Sequence, residues 1–203
     1  METELFEAAQ AFCLGILGKG RCGDLPYHNP AHTMEVVDHA RIIGTTEGLS
    51  GPDLIPLLLA ALFHDTGINM TFSHHEKVSA RTAVQFLVEN NYPPAGIAMV
   101  EQCILSTKLP QNPTTPIERV LCDADLFHLS SADFSDHNKR LRIENQKFRG
   151  EEYSDREWLQ YNINFLKAHS YHTQYGQSIL QAGKELNIVR LENKLLKLSQ
   201  GIM

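Results

Sequence analysis

The sequence has no long hydrophobic run. Its longest apolar stretch, residues 57–63, falls far short of the roughly 20 residues that a membrane-spanning helix needs. No membrane partner is expected. Cysteine is scarce: Cys13, Cys22, Cys103 and Cys122 are scattered, with no C-x-x-C pair. That excludes a zinc ribbon and gives no disulfide framework. Cys13, Cys103 and Cys122 lie in apolar helical surroundings and read as small buried hydrophobes. Positive charge is in short supply, 18 Lys and Arg against 24 Asp and Glu, for a net charge of -6. A phosphate-rich polymer would be repelled on average, so nucleic acid is excluded as a main partner. The opening METELFEAAQ is acidic and its apolar pattern is broken, whereas a secretory signal is basic and then apolar. A cytoplasmic location is the expectation. Alternating strand patterns, internal repeats and low-complexity segments are also missing.

What is there is helical. Hydrophobic residues make up 42% of the chain and charged residues 21%, the profile of a soluble globular protein. A length of 203 residues suits one well-buried core. Leu5, Ala8, Ala9, Phe12, Cys13 and Ile16 form one face of a first helix, which Gly18 and Gly20 end. Asn29-Pro30 is a cap followed by proline at the first helical position, and opens a second helix running to Gly44. A third opens at Ser50-Gly51-Pro52 and is stopped by Gly67, with Pro56 predicting a shifted start or a kink. The pattern predicts further helices over 75–89, 95–106 and 131–150, and over 154–169. Thr115-Pro116 opens one that runs through Leu129, and 173–198 forms a long last helix with Gly183 as a candidate break. In that last helix Ile188, Leu191, Leu195 and Leu198 follow a 3-4-3 spacing. The spacing reads either as a face docked on the core or as a short dimer seam, so a homodimer is one admissible state. The predicted class is all-α, a single-domain helical bundle over residues 1–203.

Ten histidines are many for this length and point to metal or acid-base chemistry. The segment 57–67, LLLAALFHDTG, ends an apolar core helix in two ionisable residues, His64 and Asp65. Burying a carboxylate beside an imidazole is costly without compensation. Adjacent helical residues point about 100° apart, so neither is well placed to satisfy the other. At a helix end both can converge on a third object, and a cation is the natural one. A second element is YHNPAH, residues 27–32, with His32 in the first turn of its helix and His28 in the preceding loop. A third is VLCDADL, residues 120–126, where apolar neighbours surround Asp123 and Asp125 and one of the two must face inward. Imidazole nitrogen with carboxylate oxygen suits iron, manganese, zinc, cobalt or nickel better than a purely oxygen-loving calcium.

His…His-Asp…Asp in this order, with AALFHDTG ending an apolar helix, resembles the HD superfamily of metal-dependent phosphohydrolases. The motifs span about residues 24–129, with a C-terminal helical flank over about 131–203. By that resemblance the bundle is of the HD-domain type, and the metal ligands are His32, His64, Asp65 and Asp125. The Ala-Asp-x-Leu pattern selects Asp125 over Asp123. YHNPAH is also similar to an element of class I cyclic-nucleotide phosphodiesterases, which implies that His28 is the general acid. Its other reading is a loop histidine packed on Tyr27. SHHEKVS, residues 73–79, resembles the element that follows the His-Asp pair in several branches. In two-metal members a later histidine assists; here Thr107 stands at that place, so the resemblance implies one divalent ion, Mn, Fe, Co, Ni, Zn or Mg. His75 is then left to bind a ligand phosphate or a water on the ion, with Glu76 orienting it. His74 reads as an exposed cap residue.

The implied reaction is hydrolysis of a phosphate ester of a nucleotide or another small molecule by a metal-activated water, with Asp65 also accepting the water's proton. Lys77, Arg81 and Lys108 are candidate cations for the remaining phosphate charge. An HD-type signalling or nucleotide-binding module with little turnover is the alternative, and an oxygen-activating di-iron protein is a third reading that the Thr107 departure disfavours.

Overall fold

The computed structural model describes residues 2–20 and 22–200. Among the described residues there is no strand, and nine α-helices are joined by short 3-10 and π turns. The chain divides into two compact units, residues 1–126 and 127–203.

The first unit contains α1 (Glu2–Leu17), α2 (Pro30–Thr46), α3 (Gly51–Phe63), α4 (His75–Glu89), α5 (Pro94–Ser106) and α6 (Pro116–Asp125). Its core is α3, in which every residue from Pro56 to Phe63 is buried. That is what an all-round apolar helix requires. Pro56 sits inside α3 without shifting its start from Gly51. Helices α1, α2, α5 and α6 pack around α3. Phe12, Phe63 and Phe86 meet at ring separations of 4.8–6.0 Å. All four cysteines lie in this unit, reduced and buried. Burial raises the Cys13 and Cys103 thiols well above the ordinary range and pushes Cys122 up to about 12.

Helix ends are set by identifiable side chains. The Asn29 side chain accepts from the Ala31 and His32 amides, at 2.9 and 3.3 Å, and donates to the Leu25 and Pro26 carbonyls. Thr115 and Glu118 form a reciprocal capping box at the start of α6. Gly67 does not stop α3, which ends at Phe63; it lies inside a 3-10 turn, Thr66–Asn69. Glycine is needed there because a Cβ would drive into the His75 carbonyl and stand 2.8 Å from the Ser79 amide nitrogen. The Gly67 amide instead donates to Ser79 Oγ at 2.8 Å. Likewise α6 ends at Asp125, four residues before the expected end, and a 3-10 turn Phe127–Ser130 follows.

The second unit contains α7 (Phe134–Glu144), α8 (Asp155–Ala168) and α9 (Gln181–Ser199). A π turn, Asn145–Arg149, ends the helix expected over 131–150, and another, Gly176–Leu180, lies in the first turns of the helix expected over 173–198. Gly183 does not break α9; it lets the helix approach the Ser130 carbonyl. The packed face of α9 carries Lys184, Asn187 and Leu191, with Leu180 just ahead of it. Ile188 and Leu195 are half-buried, and Leu198 is exposed. Trp158, the one tryptophan of the chain, is buried here and donates from Nε1 to Asn138 Oδ1 at 2.7 Å.

Candidate metal centre

His32 lies in the first turn of α2, oriented by the Asn29 cap, and its ring packs 4.8 Å from Tyr27. His64 follows the last residue of α3 and still has helical dihedrals, whereas Asp65 leaves the helix with φ -107 and ψ 1. That change of direction at adjacent residues lets both side chains turn to one point. Asp125 closes α6. Because α2, α3 and α6 pack against one another, one end of the group gathers all four side chains. Two of the contributing ends are helix C-termini, whose exposed carbonyls favour a cation.

His32 Nε2 stands 3.5 Å from Asp65 Oδ2 and 3.5 Å from Asp125 Oδ1. His64 Nε2 stands 3.2 and 3.6 Å from the same two atoms. Ligands bound to one ion at about 2.1 Å lie roughly 3.0–3.4 Å from each other in octahedral or tetrahedral arrangements. The spacings therefore match atoms arranged around an ion better than direct hydrogen bonds. His32 Nε2, His64 Nε2 and Asp65 Oδ2 are buried and have no hydrogen-bond partner. The His64 Nδ1–H donates to the Ala61 carbonyl at 2.8 Å, which leaves Nε2 facing the cluster. Among the described residues, His32, His64 and Asp125 offer ligand atoms within 4.8 Å of one another. Buried, unpartnered and mutually close donors of this type fit a divalent ion. Asp123 is fully buried and already engaged elsewhere.

Without an ion, the cluster is held by charge. Burial lowers His32, but the Asp125 and Asp65 carboxylates beside it outweigh this and lift the imidazole to about 9. His64 is raised in the same way, against burial, chiefly by the Asp65 charge. Asp65 and Asp125 are driven below the ordinary carboxylate range by the histidines, although burial opposes this.

His75 is the first residue of α4, and its Nε2 lies 3.4 Å from Asp65 Oδ1. Its Nδ1–H donates to the Phe72 carbonyl at 3.1 Å. Burial lowers His75, but Asp65 raises it further. Glu76 is buried, and its Oε1 lies 3.8 Å from His75 Nε2, too far for a hydrogen bond. His28 is half-buried, edge-on to Tyr27 at 4.7 Å and 5.7 Å from the His32 ring. Thr107 is buried, and its hydroxyl donates to the Ile104 carbonyl of its own helix at 2.8 Å. His74 is exposed, with a left-handed φ of 56. Lys77, Arg81 and Lys108 are exposed, and among the described residues none pairs with the cluster. What the sequence reading missed is the supporting layer of Ala61, Phe72 and Ser79. These act through backbone carbonyls and one hydroxyl, which carry no recognisable motif.

Residues 31–130 match the family model described as HD domain. The chain is similar to the solved structure of the Lin1889 protein from Listeria innocua, at 20% identity and a TM-score of 0.64, covering 96% of this chain and 97% of that one. It is also similar to a predicted HD superfamily hydrolase from an uncultured Thermotogales bacterium, at 18% identity and a TM-score of 0.61, covering 93% and 92%. At these identities the likeness is one of fold. No curated protein matches the chain.

Proposed function

We propose, on the premise that this chain belongs to the HD-domain proteins through its residues 31–130, that it hydrolyses a phosphate ester of a nucleotide or another small molecule. The observation that carries this reading is the convergence of three buried, unpartnered donor atoms of His32, His64 and Asp65 with the Asp125 carboxylate. His32, His64, Asp65 and Asp125 would hold one divalent ion. When bound, such an ion supplies Lewis acidity, which lowers the pKa of water towards neutrality and polarises a phosphoryl oxygen.

The chain's own residues supply the rest. Asp65 turns Oδ2 to the two ligand histidines and Oδ1 to His75. It is placed to take the proton of an attacking water. His75, whose Nε2 lies 3.4 Å from Asp65 Oδ1, stands at the rim of the cluster and suits a phosphate oxygen. That makes it better positioned than the exposed Arg81 or Lys108. His28, packed on Tyr27 close to His32, protonates the leaving oxygen. The similarity of YHNPAH to the cyclic-nucleotide phosphodiesterase element supports that role.

The test is a metal-free preparation reloaded in turn with Mn, Fe, Co, Ni, Zn and Mg, and screened against phosphate mono- and diesters with and without oxygen. Metal-dependent, oxygen-independent release of phosphate or alcohol is expected, with at least a 10³-fold loss in Asp65→Ala. Binding of nucleotide without turnover in every reloaded form would instead establish the signalling-module reading.

A further inference from the structure

Helix α9 has a second apolar face. Ala182, Leu186, Val189, Asn193 and Leu196 follow at intervals of 4, 3, 4 and 3 residues, and all five are exposed. Leu186, Val189 and Leu196 leave more than half of their surface to solvent, at 59%, 51% and 56%. At about 100° per residue, this stripe lies opposite the packed face made by Lys184, Asn187 and Leu191. Ile179, also exposed at 58%, precedes the stripe in the π turn. A solvated helix face is ordinarily polar; this one is apolar with the 3.5-residue repeat of a two-stranded coil.

We propose that this face is a self-association seam, in which α9 of two copies pairs as a parallel, in-register coil. The flanking charges select both the partner and the direction. With Leu186 and Asn193 at position a, and Ala182, Val189 and Leu196 at position d, Glu185 and Glu192 occupy position g, while Arg190 and Lys197 occupy position e. In a parallel pair each g residue faces the e residue five places further along the other helix. Glu185 then meets Arg190 of the second copy, and Glu192 meets Lys197. Symmetry repeats both pairs, so all four are of opposite sign. In an antiparallel pair glutamate would face glutamate, and cation would face cation, which costs affinity. All four flanking residues are exposed. Glu192 also pairs with Lys167 of its own chain at 2.6 Å, and Arg190 donates to Asn187 Oδ1 at 2.9 Å. Both contacts are at the rim and can be shared. Asn193 meets its symmetry mate at an a position, where a single asparagine fixes register at some expense of stability. The seam spans only two heptads, so its buried area sits near the roughly 1,200 Å² lower limit of stable interfaces. The dimer is therefore reversible and concentration-dependent.

Sedimentation velocity of the full chain across a micromolar to submillimolar series tests this. A monomer–dimer equilibrium is expected. Leu186→Glu with Val189→Glu weakens it at least tenfold, and because both side chains are exposed, the circular dichroism and thermal transition stay unchanged. Charge exchange tests the pairing. Glu185→Lys with Glu192→Lys makes one form, and Arg190→Glu with Lys197→Glu makes another. Each alone associates at least tenfold more weakly than the natural chain, and their mixture forms a heterodimer. Orientation is read from Asn193→Cys, which forms an intermolecular disulfide on mild oxidation only if the two helices run parallel in register. A chain that stays monomeric throughout the series overturns the proposal. So does a dimer that the 186/189 substitutions leave intact, or one in which position 193 fails to cross-link.

Discussion

At the scale of single residues, the decisive property of the centre is that, with no ion present, its histidines hold a proton more tightly than a free imidazole does. The linkage runs in two directions. His32 rises from about 6.5 in the unfolded chain to about 9 when folded. Its contribution to stability is fully present below pH 6.5 and is lost as pH rises through 9. Asp65 and Asp125 are lowered on folding; their contribution is present above about pH 3.8 and is lost as pH falls through their folded values. The metal-free protein should therefore be most stable between about pH 4 and 6.5, as thermal melts across pH would show. Metal binding must displace the imidazole protons. Affinity should rise with pH up to about 9, and calorimetry in buffers of different ionisation enthalpy should show proton release. Pure metal uptake without proton release would contradict the charge state described above. His28→Ala separates a proton donor from a packing residue. As a donor it should lower kcat about 10²-fold for esters with poor leaving groups and leave activated aryl esters almost unchanged. An equal loss on both would assign His28 to packing on Tyr27.

At the scale of elements, two local devices hold the centre in place. Replacing Gly67 by alanine puts a methyl group into the His75 backbone, where nothing can yield cheaply. A loss of about 3 kcal/mol is expected, together with weaker metal retention, since the 3-10 turn after Asp65 and the start of α4 would be forced apart. Asn29→Ala removes the α2 cap and should cost about 1 kcal/mol. Its signature is a drop in metal affinity through His32, not through stability alone. Denaturant unfolding and metal titration on the same samples check both. Much of this frame was legible in the sequence, because proline punctuates it: Asn29-Pro30 and Thr115-Pro116 each open a helix where expected. His64-Asp65 stood out because ionisable residues ended an apolar run. Less legible were the points where α3 and α6 give way to 3-10 turns, since backbone geometry at a helix end is set by what packs there. The 3-4-3 face of α9 does pack inward, with Leu191 buried and Ile188 and Leu195 half-buried, but its polar members were not legible. Periodicity assigns apolar residues to the core, yet Lys184 and Asn187 are buried. Asn187 is drawn inward by the Leu129 and Ser131 carbonyls, at 3.0 and 2.9 Å, and leucines are left outside.

At the scale of the whole molecule, metal is expected to act as a folding ligand of the first unit. An ion at a hundredfold excess over its dissociation constant stabilises by about 2.7 kcal/mol. Chelation should therefore lower the melting temperature, and reloading should restore it; a melt indifferent to both would mean that the ion binds folded and unfolded chain alike. The distribution of two rare residues gives this chain a built-in pair of reporters. Every thiol belongs to residues 1–126 and is buried, and burial raises those of Cys13, Cys103 and Cys122. The lone indole belongs to residues 127–203. Alkylation kinetics thus time the opening of the metal-bearing unit, while fluorescence follows the other, in the same unlabelled sample. Protein with and without metal, or dilute and concentrated, can be followed in both channels at once, and each unit's loss of structure dated separately.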